Sequence, residues 1–256
     1  MDLQLKDKVA IVTGGGRGIG MAIALGLAEE GTHVAVAEID ENSAMQAVDK
    51  IKEKGVRAVA VKTDVTDPGS VKAMVENVES ELGPIRILVN NAAKLPAFMT
   101  FVEEKNSGQT EGFWEKVVEV CYTGTINCTA AVIDGMIERQ YGKIINMASD
   151  AGKVGEPRQA VYAGAKGAII AFTKSMAKEV GRYSINVNAV CPSMTKTEAV
   201  REMLSEEFEK KVVKAYPMRR LGEPQDIANM VVFLASERAS WITGQAISVN
   251  GGYATT

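Results

Sequence analysis

Short apolar runs alternate with amphipathic stretches along the N-terminal half of this chain. The apolar runs are residues 8–12, 33–38, 57–62 and 85–89. Each is short and bounded by turn residues, which is typical of a strand buried on both faces. The stretches between them, 21–30, 41–54 and 68–82, carry apolar residues at helical spacing. This alternation predicts an α/β fold with right-handed crossovers and a parallel sheet covered by helices on both faces.

A glycine-rich turn joins the first predicted strand to the first predicted helix. It reads Thr13-Gly14-Gly15-Gly16-Arg17-Gly18-Ile19-Gly20. The spacing G-x-G-x-x-G fits no register here, whereas T-G-x-x-x-G-x-G fits from Thr13 to Gly20. Backbone N–H groups that glycine leaves uncovered at a helix N-terminus bind anions. The turn therefore predicts a phosphate-binding loop, and Arg17 adds a cation that could meet a phosphate.

An acid ends the second predicted strand at Glu38, eighteen residues after Gly20. In a dinucleotide-binding fold, an acid at this strand end hydrogen-bonds the adenosine ribose and repels a 2′-phosphate. Glu38 therefore predicts NAD rather than NADP as the cofactor. Asp40 is the poorer choice because it lies beyond the strand end. The alternative interpretation of Glu38 is a solvated strand-end carboxylate.

Tyr162 and Lys166 lie four residues apart, with Ser149 thirteen residues before the tyrosine. On a helix, positions i and i+4 project from the same face, so the phenol and the ammonium would share one site. We predict that Lys166, together with a positively charged cofactor ring, lowers the pKa of Tyr162 so that the phenol acts as a general base or acid. Ser149 would hold the reacting oxygen by a hydrogen bond. The spacing alone also fits an exposed amphipathic turn.

Composition argues against several other function classes. The 256 residues are 46% hydrophobic with a net charge of −3 and dispersed basic residues, which predicts no nucleic-acid partner. No apolar stretch approaches the ~20 residues of a membrane span, and residues 1–7 lack the apolar run of a secretory signal, which predicts a cytoplasmic protein. Three cysteines without a C-x-x-C pair and a single histidine argue against a metal site, a disulfide framework and a Ser-His-Asp triad.

Taken together, these motifs resemble the short-chain dehydrogenase/reductase family over nearly the whole chain. The residues that carry the resemblance, in the family's order, are Thr13, Gly14, Gly18, Gly20, Asp64, Val65, Asn90, Asn91, Ala92, Ser149, Tyr162, Lys166 and the segments 242–245 and 250–252. The resemblance implies one doubly wound Rossmann-type domain over residues 1–256, with a parallel sheet of about seven strands and helices on both faces. It also implies a nicotinamide cofactor, a small-molecule substrate and commonly a homotetramer or dimer, with a hetero-oligomer containing a related subunit as the alternative.

The same resemblance assigns roles to individual residues. The three catalytic positions fall on Ser149, Tyr162 and Lys166, and Lys166 would also bond the nicotinamide ribose. The pyrophosphate is expected at the glycines of the turn, the adenine just after the third strand, and a backbone-organising role on Asn90. The residues expected to bind the cofactor, NAD, are Gly14, Arg17, Gly18, Ile19, Gly20, Glu38, Asp64, Val65, Asn91, Tyr162, Lys166 and Thr195.

Three positions depart from the family pattern. Cys121 stands where the catalytic asparagine is expected, a residue whose amide orients a water that relays protons to the lysine. Because a thiol is a weak donor and a weak acceptor, this proton relay is open to question. Ala93 and Ser193 replace glycines, and neither replacement removes a reacting group.

Two segments are expected to border the substrate. Residues 94–112 follow a strand end as a predicted loop whose aromatic and apolar side chains could line a hydrophobic pocket, or could form a surface excursion. Residues 195–214 resemble the family's substrate-binding lid, with Thr195 or Thr197 near the nicotinamide carboxamide. Both segments would therefore contribute to the choice of substrate.

The substrate prediction depends on residues 146–155, which are similar to dehydrogenases of β-hydroxyacyl-CoA thioesters, including those acting on ring-bearing acids in anaerobic aromatic degradation. Lys94, Lys153 and Arg158 could meet the CoA phosphates. We therefore predict NAD-dependent oxidation of the secondary alcohol of a β-hydroxyacyl-CoA to a ketone. One alternative is a 3-oxoacyl carrier-protein reductase, which usually prefers NADPH. The other is a non-catalytic subunit that supports an active paralogue, for which Cys121 is the motivation.

Overall fold

The computed structural model describes residues 1–108 and 112–256. Its strands are β1 (Val9–Thr13), β2 (His33–Glu38), β3 (Ala58–Lys62), β4 (Ile85–Asn90), β5 (Gly142–Met147), β6 (Ile185–Pro192) and β7 (Ala246–Val249). They form one parallel sheet in the order β3-β2-β1-β4-β5-β6-β7. The prediction of a doubly wound α/β fold with a seven-stranded parallel sheet is confirmed.

Helices connect the strands and cover both faces of the sheet. They are α1 (Gly18–Glu29), α2 (Glu41–Lys52), α3 (Pro68–Glu81), α4 (Phe101–Asn106), α5 (Phe113–Val118), α6 (Gly124–Glu138), α7 (Ala151–Val154), α8 (Ala160–Val180), α9 (Glu198–Met203), α10 (Glu206–Val212) and α11 (Pro224–Ala235). A π-helical segment, Glu119–Thr123, joins α5 to α6, and three short 3₁₀ turns occupy Gly181–Tyr183, Val213–Ala215 and Glu237–Ala239. Among the described helices, none has the length and apolar character needed to span a membrane.

The core lies in two apolar layers, one on each face of the sheet. In β1, Ala10 and Val12 pack in the layer formed with α1, α2 and α11. Val9 and Ile11 point the other way, into the layer formed with α3 and α6. All residues of β1 are buried, as is expected for a central strand covered on both faces. The continuous apolar run at 8–12 is therefore explained by burial of both faces.

The segment predicted as a loop at 94–112 contains a helix, α4, so that prediction is wrong in part. A capping box starts α4: the backbone N–H of Glu103 donates to Thr100 Oγ1, and the backbone N–H of Thr100 donates to the Glu103 carboxylate. Phe101 stacks on Trp114 with ring centroids 5.1 Å apart. The T-x-x-E pattern at Thr100 was the available signal for this helix start. Residues 109–111 of the predicted loop lie outside the described part of the chain.

The predicted site residues gather at one edge of the sheet. The strand order turns at β1, which pairs with β2 on one side and with β4 on the other. In open α/β sheets, ligands bind beyond the C-terminal strand ends at such a switch point. Glu38 ends β2, Asn90 ends β4, and Ser149 follows β5, all on this edge. The topology alone therefore brings together groups that are far apart in sequence.

Candidate active site

Ser149, Tyr162 and Lys166 come together beyond the end of β5. Tyr162 and Lys166 lie one turn apart on α8, and the Lys166 ammonium lies 5.6 Å from the centroid of the Tyr162 ring. The Ser149 hydroxyl donates to the Pro192 carbonyl at 3.5 Å and accepts from the backbone N–H of Ala151 at 3.2 Å, and it lies close enough to the Tyr162 phenol to lower its pKa. Tyr162 is partly exposed, whereas Lys166 is buried and donates to the backbone carbonyl of Met147 at 2.6 Å. The structure thus places a hydroxyl, a phenol and an ammonium in one cluster.

The protein's own groups raise the pKa of the Tyr162 phenol. Burial raises the pKa of the phenol, the nearby Cys121 thiol also raises it, and only the Ser149 hydroxyl lowers it. Burial likewise lowers the pKa of the Lys166 ammonium. The prediction of a lowered pKa names Lys166 together with a positively charged cofactor ring, so it stays a prediction for the protein with its cofactor. A further positive charge near the phenol is needed to favour the phenolate.

Cys121 occupies the position predicted for it, facing the tyrosine and the lysine. It is fully buried and packs with Ala165 and Tyr162, and its sulfur lies 3.6 Å from the carbonyl oxygen of Lys94. Cys121 belongs to the π-helical segment, and its own carbonyl accepts a hydrogen bond from Thr125 Oγ1 at 2.8 Å. Such single-turn π-helices often mark functional sites. The widened turn brings the thiol against α8.

The glycine turn after β1 has a backbone that only glycine allows. Gly14 and Gly18 have φ of 62° and 55°, in the left-handed region. A Cβ on Gly20 would lie 2.1 Å from the carbonyl oxygen of Gly14. The turn leads directly into α1, whose first turn includes Ile19. A turn without side chains at a helix N-terminus fits the pyrophosphate of a dinucleotide, since backbone donors can approach it closely.

We predict that Gly20→Ala abolishes dinucleotide binding. The added methyl group would collide with the Gly14 carbonyl and with the Asn91 amide, 2.5 Å away, so the turn must open. The measurement is a fluorescence titration with NADH, in which the affinity should fall by at least about 100-fold, equivalent to roughly 2.7 kcal/mol. Gly181→Ala is the matched control, because a Cβ there meets nothing within 4 Å. Equal affinity in both variants would contradict this account of the turn.

Asn91, rather than Asn90, holds the glycine turn. The Asn91 amide nitrogen donates to the carbonyls of Thr13 and Gly14, both at 3.0 Å, and its backbone N–H donates to Thr13 Oγ1 at 2.9 Å. Asn90 instead donates to Asn146 Oδ1 at 2.9 Å inside the sheet. Asn91 therefore supports the glycine turn, while the backbone-organising role expected of Asn90 stays a prediction.

Glu38 is the acid that faces the glycine turn. It is 8% exposed, and its carboxylate accepts hydrogen bonds from the backbone N–H groups of Gly16 at 3.3 Å and Ile39 at 2.9 Å. Asp40 instead caps α2 through the N–H of Asn42 at 3.1 Å. The preference for Glu38 over Asp40 thus agrees with the geometry. Arg17 is exposed, and its guanidinium makes no ion pair or hydrogen bond with the described residues.

Asp64 and Val65, predicted near the adenine, follow β3. The Asp64 carboxylate accepts from the Thr66 hydroxyl at 2.7 Å and from the Thr66 backbone N–H at 2.9 Å, and these bonds lower its pKa. Val65 is 7% exposed, and a Cβ on Gly124 would come within 2.6 Å of it. Asn127 fixes the Val65 carbonyl from α6 at 3.0 Å. This corner of the sheet edge is therefore well ordered by its own contacts.

The predicted lid starts after β6 and packs towards the glycine turn. Thr195 is buried and donates to the Ser193 carbonyl at 3.0 Å, while Thr197 caps α9. The Thr197 methyl lies 3.2 Å from the position of a Cβ on Gly18. Of the two threonines, Thr197 is thus the one that touches the glycine turn.

Tyr216, which the sequence did not indicate, joins the two ends of the lid. Its hydroxyl is hydrogen-bonded to Ser193 Oγ at 2.6 Å and accepts from the backbone N–H of Met194 at 3.3 Å. Its ring stacks on Tyr253 with centroids 5.1 Å apart. Ser193, regarded from sequence as a neutral replacement of glycine, therefore has a structural partner. No spacing rule connects two residues 23 positions apart, so this contact needed the structure.

Of the three cations predicted to meet CoA phosphates, Lys153 is already engaged. Its ammonium donates to Ser248 Oγ at 2.9 Å, inside the protein, so the prediction for Lys153 is not supported. Lys94 and Arg158 are exposed on loops beyond β4 and β5. The Lys94 ammonium lies 5.8 Å from the centroid of the Phe113 ring. Two cations thus remain free to meet an anionic group outside the cluster of Ser149, Tyr162 and Lys166.

Comparison with known proteins shows close similarity over nearly the full length. The family model described as Enoyl-(Acyl carrier protein) reductase matches residues 14–254. The chain is 40% identical over 248 residues to the 3-oxoacyl-[acyl-carrier-protein] reductase FabG of Staphylococcus aureus (strain Mu50), covering 96% of this chain and 97% of that protein. It is 37% identical over 257 residues to 2-(S)-hydroxypropyl-CoM dehydrogenase 3 of Xanthobacter autotrophicus, covering 98% of each.

A solved structure is equally similar in fold. The crystal structure of NAD+-bound xylitol dehydrogenase superposes with a TM-score of 0.90 at 34% identity, covering 97% of this chain and all of the other. The carrier-protein reductase, the hydroxypropyl-CoM dehydrogenase and the xylitol dehydrogenase are oxidoreductases named for different substrates. The comparisons therefore indicate a reaction class and leave the substrate open.

Proposed function

Because the chain belongs to the short-chain dehydrogenase/reductase family, and is therefore an NAD(P)-dependent oxidoreductase of secondary alcohols and ketones, we propose that it oxidises β-hydroxyacyl-CoA thioesters with NAD. The observation that carries the chemistry is the placement of Tyr162 and Lys166 one turn apart on α8, with the Lys166 ammonium 5.6 Å from the phenol ring and Ser149 following β5 at the same edge of the sheet. The choice of NAD and of a CoA thioester goes beyond family membership.

In the proposed reaction, Tyr162 removes the hydroxyl proton of the alcohol as general base. The Ser149 hydroxyl holds the reacting oxygen, which fixes the alcohol against the phenol. Lys166 keeps a positive charge close to the phenol from inside the protein. An oxidised nicotinamide held beside Tyr162 would supply the hydride acceptor and a positive charge near the phenol. In the reverse direction the phenol returns the proton to the carbonyl oxygen.

The residues proposed to hold the cofactor follow the edge of the sheet. The turn of Gly14, Gly18 and Gly20 would receive the pyrophosphate on bare backbone N–H groups. Glu38 would bond the adenosine ribose. The adenine would lie near the end of β3, and the lid threonines would meet the carboxamide. The remaining proposed contacts are Arg17, Ile19, Asp64, Val65, Asn91, Tyr162, Lys166 and Thr195.

A 3-oxoacyl carrier-protein reductase is the second candidate, and the 40% identity to the Staphylococcus aureus protein favours it. Glu38 argues against it when NADPH is the expected donor, since a nearly buried carboxylate repels a 2′-phosphate. A similar protein, xylitol dehydrogenase, has been solved with NAD+ bound, which supports the choice of NAD. Comparing kcat/KM with NAD and NADP separates the two candidates.

The CoA thioester is tested with a panel of alcohols and with one variant. We predict turnover of β-hydroxyacyl-CoAs and little with sugars, steroids or simple alcohols. Arg158→Gln is expected to raise KM for the CoA thioester by about tenfold, since an exposed phosphate contact of about 1.4 kcal/mol is lost, with kcat unchanged. The corresponding pantetheine thioester, which lacks the nucleotide phosphates, should show equal KM with both proteins.

If the protein turns over another alcohol but no CoA thioester, the proposed substrate is refuted and the proposed dehydrogenase activity is retained. Lack of all turnover by the purified chain would instead favour the non-catalytic subunit, for which the thiol of Cys121 at the expected asparagine position is the motivation.

We further propose self-association, as a homotetramer, through the small residues on the exposed face of α8, such as Gly164 and Ala171. Light scattering of the purified chain measures it.

A further inference from the structure

A second cluster of charged side chains lies at the opposite edge of the sheet, where the strands begin. Lys8 precedes β1, Arg86 lies at the start of β4, and Lys143 lies at the start of β5. Their charged ends lie 4.5, 5.4 and 5.6 Å, respectively, from the centroid of the Tyr141 ring. Three cations thus surround one aromatic ring, far from the C-terminal strand ends that hold Ser149.

Two of these cations are already paired. Glu237 accepts hydrogen bonds from the Lys8 ammonium at 2.5 Å and from the Tyr141 hydroxyl at 2.6 Å, and lies 3.9 Å from Lys143. Lys143 is 2% exposed and donates to Asn186 Oδ1 at 2.6 Å. Burial alone would raise the pKa of Glu237, but the bonds from Lys8 and Tyr141 and the neighbouring charges outweigh it and lower this pKa. Glu237 is therefore a fixed anion shared by these groups.

Arg86 is the cation without an acceptor. Its side chain is half-buried, yet across residues 1–108 and 112–256 its guanidinium makes no hydrogen bond and no ion pair. It only lies over the ring of Tyr141. A guanidinium carries five N–H donors in a planar fork that matches two oxygens of a phosphate. An anion that approached Arg86 would therefore find several unused donors.

A cavity of about 390 Å³ lies in front of this guanidinium. Asp7, Lys8, Pro84, Arg86 and Tyr141 are among its walls. Its volume lies within the range of small-molecule sites, roughly 300–1,000 Å³. The lining of the cavity carries two cations, on Lys8 and Arg86, against the carboxylate of Asp7. A site of this size and charge favours an anionic small molecule.

We propose that this cavity binds a phosphate-bearing small molecule, with Arg86 as its main ligand and Lys8 as a second cation. The site is separate from the proposed dinucleotide site, which lies beyond the C-terminal ends of the strands. Tyr141 forms one wall, and its hydroxyl, held by Glu237, fixes the ring beside Arg86. Because β4 and β5 run from this cavity to Asn90 and Ser149, the ligand would contact the same strands as the catalytic cluster.

Inorganic phosphate is the probe, titrated by calorimetry into the full chain and into variants. Arg86→Gln should bind phosphate at this site at least about tenfold more weakly than the unaltered chain. Arg86→Lys keeps the positive charge but loses the two-pronged donor geometry, so its phosphate affinity should lie between those of the unaltered chain and Arg86→Gln. Arg182→Gln is the matched control, because this guanidinium also lies over a tyrosine ring, 4.7 Å from Tyr183, but outside the cavity. Arg17→Gln, in the glycine turn, should also leave this binding unchanged.

Equal phosphate binding by Arg86→Gln and by the unaltered chain would overturn the proposal, and so would the absence of binding to the unaltered chain. Loss of binding in Arg17→Gln alone would assign the phosphate to the glycine turn and overturn it too. Thermal unfolding of each variant confirms that it is folded. The titration uses no substrate, so its outcome is independent of the proposed dehydrogenase activity.

Discussion

Tyr162→Phe is expected to lower kcat by about 1,000-fold, within the roughly 10²–10⁴-fold that a general acid–base group contributes. The phenyl ring can keep its packing against Val117, Cys121 and Ala165. Only the hydroxyl is lost, and with it the group that takes the proton of the alcohol. Affinity for the dinucleotide should fall far less than turnover, because the pyrophosphate contacts proposed for the glycine turn do not involve this hydroxyl. Steady-state turnover and an NADH fluorescence titration measure the two quantities.

Tyr183→Phe is the matched control for this substitution. Tyr183 lies in the short helical turn after α8, and its hydroxyl accepts a hydrogen bond from Arg182 at 2.5 Å, so its loss should leave turnover unchanged. Unchanged turnover in Tyr162→Phe would remove the phenol from the mechanism. Equal losses in both variants would point to a general loss of structure instead.

Glu38→Gln is expected to change cofactor preference rather than turnover as such. The substitution keeps the shape of the side chain and removes the negative charge beside the ribose position. The carboxylate is only 8% exposed, so its repulsion of a 2′-phosphate is weakly screened. We expect the ratio of kcat/KM for NAD over NADP to fall by about 100-fold, equivalent to about 2.7 kcal/mol.

Asp40→Asn is the control, since asparagine also caps helices well and α2 should stay intact. Asp40→Asn also removes one negative charge, but from a residue that caps α2 and does not face the glycine turn. The ratio of kcat/KM for NAD over NADP should therefore stay unchanged. A drop in Asp40→Asn and none in Glu38→Gln would transfer the selectivity to Asp40. An unchanged ratio in both would leave the preference for NAD without an electrostatic cause.

The sheet and the clustering of the catalytic candidates were predictable from the sequence. The central strands β1, β2 and β4 are largely buried apolar runs, and the parallel order brings the C-terminal strand ends to one edge. The spacing of Tyr162 and Lys166 predicts one face of a helix, and α8 contains both. These features depend on the spacing of apolar residues and on the order of strands and helices, and both can be identified from short stretches of sequence.

Contacts between distant side chains were not predictable in the same way. The sequence could not show that the Lys166 ammonium donates to Met147, or that burial raises the pKa of Tyr162. It also could not show that the Asn91 amide supports the glycine turn, while Asn90, the last residue of β4, bonds across the sheet to Asn146.

A crystal structure of the chain with NAD tests the central claim most directly. The claim is that this protein uses Ser149, Tyr162 and Lys166 to exchange a proton with an alcohol beside a bound nicotinamide. The predicted result is a dinucleotide on the glycine turn with its reactive pyridine carbon facing the Tyr162 hydroxyl. A phenol turned away from that carbon, or a cleft closed to the dinucleotide by protein, would contradict the account.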